Sequence, residues 1–119
     1  MASPTTVFVN KDQYLIREGE ESNEVYIVEE GSLGVFKVKN SQEVKIGTIF
    51  EGELVGEMSF FDNSPRCATI KALTDSRLLV IPSSKFEMYV NKQPKWFRTL
   101  LETLIDRIRK ASNRVKPEV

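Results

Sequence analysis

The chain has 119 residues, with 17 Lys+Arg against 17 Asp+Glu and a formal net charge of zero. That length suits one domain, and the balanced charge argues against direct binding to nucleic-acid polymers, which needs a basic surface. Histidine is absent and Cys67 is the single cysteine, which removes the usual transition-metal ligands, the commonest general base, any Ser-His-Asp or Cys-His pair, and any internal disulfide.

Hydrophobic residues make up 40% of the chain, enough for a real core. No apolar run is long enough to span a bilayer. The start, Met1 to Thr6, lacks the charged-then-apolar pattern of a secretory signal. A cytoplasmic location without membrane insertion is expected.

In chain order, the first part alternates short apolar runs with turn signals. Val7-Phe8-Val9, Tyr14-Leu15-Ile16, Val25 to Val28, Leu33 to Val38, Val44 to Ile49, Thr69 to Leu73 and Leu78 to Ile81 read as strands, being rich in Val, Ile, Phe and Tyr. The breaks fall at Glu18-Gly19-Glu20, Glu30-Gly31-Ser32, Lys39 to Gln42, Glu51-Gly52-Glu53 and Asp75-Ser76. Short strands so closely spaced predict an antiparallel sandwich or barrel. Leu33 to Val38 alternates imperfectly, which predicts a half-exposed strand.

From residue 83 the texture is helical. Ser83-Ser84 can cap a first short helix holding Phe86, Met88, Tyr89 and Val90. Pro94 marks a break, and a longer helix is predicted from about Lys95 to Val115, ahead of Pro117. Phe97, Leu101, Leu104, Ile108, Ala111 and Val115 step by 4, 3, 4, 3 and 4, a heptad-like seam. Trp96, Leu100 and Ile105 widen that stripe. Asp106 and Lys110 stand four apart in the favourable order.

One stretch is unlike the rest: Gly56-Glu57-Met58-Ser59-Phe60-Phe61-Asp62-Asn63-Ser64-Pro65-Arg66-Cys67-Ala68-Thr69. A glycine that lets backbone approach closely, followed by a helical turn, turns several N–H groups in one direction, which suits an anion. Arg66 adds a planar, permanently charged donor for a phosphate. Pro65 holds Ser64 extended and fixes where the chain enters the next strand.

This stretch resembles the phosphate-binding cassette of cyclic-nucleotide-binding domains, which reads Gly-Glu, a small helix, then Arg-x-Ala and a strand. Gly19-Glu20 and Tyr26 to Gly31 are similar to the family's early strands, Gly52 to Glu57 to the approach to the cassette, and the helical tail to its last two helices. The likeness runs over roughly residues 7 to 115. It implies a mainly β fold with C-terminal helices, an antiparallel double-stranded β-helix or jelly-roll-like β-roll. It further implies a single domain over residues 1–119, the roll at about 7–82 and the helical tail at about 83–115.

The functional implication is a regulatory ligand-binding module that catalyses nothing and needs no cofactor. By resemblance, Glu57 after Gly56 accepts the ribose 2′-OH, Arg66 pairs with the exocyclic phosphate oxygens, and the amides of Met58, Ser59 and Ala68 complete the cradle. Val55 and Met58 would line the sugar and base. Relatives that favour cGMP often place Thr or Ser after the arginine. Here that residue is Cys67, whose thiol is a weak hydrogen-bond partner, so cAMP is expected ahead of cGMP, with a cyclic dinucleotide left open. The family closes its pocket with a residue of the last helix. Arg107, beside Leu104 and Ile108, is the candidate, able to stack on the purine.

Plainer readings stand beside these. Glu57 and Arg66 alone would be a loop ion pair of little energetic weight. Arg107 reads equally well as solvated surface, Cys67 as a small packed residue, Ser59 and Ser64 as local caps, and Phe50, Phe60 and Phe61 as core. The stripe on the last helix either packs on the chain's own sheets or forms a homodimer seam. Two rival functions remain: a ligand-free copy of the fold used for assembly through that helix, and a cupin-like metal enzyme, which the lack of histidine disfavours. No helix-turn-helix follows the last helix within these residues, and the effector cannot be read from them.

Overall fold

Among the described residues, β-branched and aromatic residues between turn signals form eight short strands. They are β1 (Thr5–Val9), β2 (Tyr14–Ile16), β3 (Val25–Glu30), β4 (Leu33–Lys39), β5 (Gln42–Ile49), β6 (Leu54–Val55), β7 (Thr69–Ala72) and β8 (Ser76–Ile81). Two helices follow, α1 (Ser83–Asn91) and α2 (Lys95–Arg114). This computed structural model describes residues 5–57 and 65–114, without the side chains of residues 109 and 111–114. The chain divides into two compact units, Met1–Ser83 and Ser84–Val119.

The strands of the first unit make two four-stranded antiparallel sheets, ordered β1-β8-β3-β6 and β2-β7-β4-β5. Among the described strands the chain changes sheet at almost every connection, and only β4 and β5 are consecutive partners. Their turn holds Asn40 and Ser41 at φ 52° and 65°, the left-handed pair that a two-residue type I′ hairpin requires. The winding is that of a β-roll, as the resemblance implies.

Period-two alternation brings Val9, Ile16, Val28, Leu33, Val55, Ile70, Ala72 and Leu78 into one cluster. These residues come from both sheets, so the core lies between them. Its buried polar neighbours are satisfied. Thr69 Oγ1 accepts the Glu18 N–H at 2.9 Å, and the Ser76 hydroxyl donates to Thr74 O at 2.8 Å.

Two strand expectations need adjustment. β4 is more buried than half, because Leu33, Gly34 and Phe36 are all buried and only Val38, 60% exposed, opens to water. The register slips between Val35, which faces Gly47, and Phe36, which faces Lys45, so the extra residue, Ile46, belongs to β5, and the Lys71 ammonium caps the Phe36 ring at 4.7 Å. β6 was not anticipated, since two residues are too short to show a period. It pairs with β3 through Tyr26–Val55 and Ile27–Leu54. β8 begins at Ser76, where a turn was expected, because Ser76 pairs with Val9.

In the second unit, Lys92 N–H donates to Met88 O at 3.2 Å and closes α1, and Phe97 N–H donates to Pro94 O at 2.9 Å and opens α2. Arg98 ties the helices together, lying 3.7 Å from Glu87 and 3.5 Å from Glu102 and donating to Asn91 Oδ1 at 3.1 Å. The anticipated Asp106–Lys110 pair forms at 3.0 Å. Ile105 is buried, whereas Trp96, Leu100, Leu104 and Ile108 are exposed. Val115, the last member of the expected seam, lies outside the described residues. Among those residues no helix is long and apolar enough to cross a membrane.

Candidate anion-binding site

Arg66 enters the first unit just ahead of β7, and its main chain is held on both sides. Its N–H donates to Glu20 O, and its carbonyl accepts the Gly19 N–H, each at 2.8 Å. The β2–β3 loop is thereby fastened to the arginine. The side chain is 4% exposed. Its Nε donates to Ser22 Oγ at 2.9 Å, Nη1 to Gly56 O at 3.2 Å and Nη2 to Glu24 O at 2.9 Å.

All three acceptors are neutral oxygens. No carboxylate lies within 4.0 Å of this guanidinium among the described residues. Arg77 and Arg98, which are more exposed, differ. Arg77 pairs with both Glu29 and Glu30 at 3.3 and 3.2 Å. A buried charge without a counter-ion is costly, typically several kcal/mol (~3–5). The site therefore holds an unanswered positive charge.

Gly56 ends the approach to this arginine. Its φ is +86°, and a Cβ there would collide with Arg66 Nη1 and come within 2.9 Å of Glu24 O. Only glycine supplies both the left-handed backbone and the room. Glu57 follows in helical conformation and is half-buried. Burial pushes its carboxyl above the usual glutamate range, while its own main-chain amide and the Arg66 cation pull the other way. No ion pair within 4.0 Å joins Glu57 to Arg66 among the described residues. The plain ion-pair reading therefore does not describe this geometry.

Both residues line a cavity of about 230 Å³. One wall is apolar, from Ile16, Val35, Ile49 and Ile70 of the β2-β7-β4-β5 sheet with Leu54 and Val55 of β6. The other is formed by Gly56, Glu57, Arg66, Cys67 and Ala68. A cation and a carboxylate lining one largely apolar hollow can hold a small anion that also carries a hydroxyl.

Six of the nine residues singled out from sequence thus line one cavity: Val55, Gly56, Glu57, Arg66, Cys67 and Ala68. Cys67 carries an exposed free thiol, unlike the packed residue of the plainer reading. Met58 and Ser59 lie outside the described residues. Arg107 sits exposed on α2 in the second unit. The sequence reading missed Ser22 and the Glu24 carbonyl, which aim the guanidinium. Ser22 is 44 positions from Arg66, and a loop serine carries no local signal of such a contact. The only hint was Gly19-Glu20, whose main chain grips Arg66.

Two antiparallel sheets enclosing a buried cation and a carboxylate in one hollow define a ligand-binding β-roll. The chain belongs to the cyclic nucleotide-binding domain family, whose model matches residues 6–93. It is 34% identical over 89 residues to a lysophospholipase, nte1, of Aspergillus fumigatus, covering 74% of this chain and 6% of that protein. It is 33% identical over 79 residues to a cAMP-dependent protein kinase regulatory subunit of Mycosarcoma maydis, covering 64% and 15% respectively. Among solved structures, the cGMP-bound form of the EAL enzyme Bd1971 superposes with a TM-score of 0.81 at 30% identity, over 92% of this chain and 30% of that one. Its cAMP-bound form gives 0.79 at 30% identity, over 91% and 29%. The chain therefore spans only a small part of each of these relatives.

Proposed function

We propose that this domain binds a cyclic nucleotide monophosphate, cAMP ahead of cGMP, and passes the bound state on as a regulatory signal. The observation that carries the reading is the Arg66 guanidinium, buried, held only by neutral oxygens and facing a cavity it shares with Glu57. A cyclic phosphodiester supplies the missing single negative charge. Its ribose keeps a free 2′-OH, a donor suited to the Glu57 carboxylate. The apolar wall of Ile16, Val35, Ile49 and Ile70 offers dry surface to the sugar and base. The names of the relatives, a cAMP-dependent kinase regulatory subunit and cAMP- and cGMP-bound forms of an enzyme, support this ligand class. Cys67 gives guanine no strong partner, which favours adenine.

The module is regulatory rather than catalytic in this proposal and works in the cytoplasm. The ligand drives the relay only by contacting one arrangement of the C-terminal helices better than another. Arg107 is the proposed contact to the base. The exposed row Trp96, Leu100, Leu104 and Ile108 favours a second use of α2 as a seam for another copy of the chain, the basis of the assembly alternative. Parallel calorimetric titrations with cAMP and cGMP test the reading, with light scattering for mass. Saturable binding with cAMP the tighter ligand is expected, and absence of heat with both nucleotides overturns it.

A further inference from the structure

We propose that Ser22 is a positioning residue of the anion site, and that its neutrality is what leaves the Arg66 charge to a ligand. The ligand in this statement rests on the cyclic-nucleotide reading, whereas the placement of Arg66 does not.

A guanidinium has five N–H donors. Three are used by Ser22 Oγ, Gly56 O and Glu24 O. One donor remains on each terminal nitrogen, matching the two oxygens of an incoming phosphate. The two carbonyls belong to the main chain. Ser22 Oγ is the one side-chain acceptor among the three, and it holds Nε, the atom that fixes the plane of the fork. The contact is supported from below. Residues 19 and 20 of the same loop bond the Arg66 main chain, so loop and arginine are placed by one set of contacts.

A hydroxyl satisfies Nε without neutralising the group. A carboxylate at the same position would satisfy Nε and also act as a resident counter-ion. It would stabilise the empty site and compete with a phosphate for the same charge. Position 22 therefore sets how much positive charge the cavity presents, although it does not line the cavity.

Three variants separate these claims: Ser22→Thr, Ser22→Ala and Ser22→Asp. Each is read by hydrogen exchange at the Arg66 Nε–H in nitrogen-15 NMR, by ligand-free melting, and by calorimetric affinity for cAMP. Ser22→Thr should keep a protected Nε–H and an affinity within about 3-fold of wild type, and Ser22→Ala should unprotect Nε–H and weaken binding by on the order of 10-fold. Ser22→Asp should melt at or above the wild-type temperature yet lose roughly 100-fold or more in affinity. Ser22→Asp binding as wild type, or a protected Nε–H in Ser22→Ala, overturns the proposal. If the wild type takes up neither cAMP nor cGMP, the nucleotide reading falls alone. The exchange and melting measurements then still decide for or against Ser22.

Discussion

Replacing Arg66 by Ala separates the energetics of the empty site from those of the filled one. Without ligand, the substitution removes three charge-assisted hydrogen bonds, each worth about 1.5–3 kcal/mol. It also removes the cost of keeping a cation from water, several kcal/mol (~3–5). The three bonds together, about 4.5–9 kcal/mol, are offset only in part, so ligand-free stability should fall by about 1.5–4 kcal/mol. Nothing opposes the loss in the bound state, where the phosphate loses the buried cation that would hold it. There the penalty should be roughly 2–5 kcal/mol, or about 30-fold to several thousand-fold in affinity.

Calorimetry measures the affinity and thermal unfolding measures both states. For wild type, cAMP at about 100 times its dissociation constant adds about 2.7 kcal/mol, a rise on the order of 10 °C for a chain of this size. Arg66→Ala should unfold below the wild-type temperature without cAMP, by no more than that balance allows, and show almost none of the further rise with it. Equal affinity in the two proteins would refute the reasoning. So would a ligand-free protein destabilised well beyond the balance just worked.

Gly56→Ala should lower stability by about 1–3 kcal/mol through the left-handed backbone and weaken cAMP binding by displacing the arginine. A variant that melts and binds as wild type would contradict the crowding at that position. Glu57 is raised above its ordinary value of 4.5 by burial. Its contribution to stability is therefore fully present below the unfolded pKa and lost as pH rises through the folded one. Stability of the empty domain should fall across that mildly acidic window, and Glu57→Gln should flatten the fall. Because a ribose hydroxyl donates to the ionised carboxylate, cAMP affinity should rise over the same window with proton release, measurable by calorimetry in buffers of different ionisation heat. Leu78→Ala, at a fully buried core position, should cost about 2–5 kcal/mol in thermal or denaturant unfolding. A loss below that range would mean the sheets close over the gap.

The strands that alternate cleanly between turn signals were legible because burial on one face imposes a period of two. Seven of the eight strands among the described residues were placed from runs rich in Val, Ile, Phe and Tyr between turn signals, and the eighth, Leu54–Val55, is too short to make such a run. The exposure of β4 was overestimated because what covers Phe36, the Lys71 ammonium above its ring, comes from a strand distant in sequence. At the site, Gly56, Glu57 and Arg66 were readable since their chemistry and spacing occur together in one short stretch. Ser22 was not, because a hydroxyl that orients a cation from another loop is indistinguishable in sequence from any polar turn residue.

The order in which the strands interleave bears on how the domain comes into being. Thr5 pairs with Val80, and among the described strands β4–β5 is the sole pair consecutive in sequence. Chains dominated by such distant pairings fold slowly, commonly in milliseconds to seconds. The arginine's acceptors come from the β2–β3 loop and from the end of β6, so no early hairpin contains a working fragment of the pocket. A nucleotide present during refolding would thus find nothing to grip until the last turn of the winding was complete, and it should slow unravelling far more than it hastens assembly.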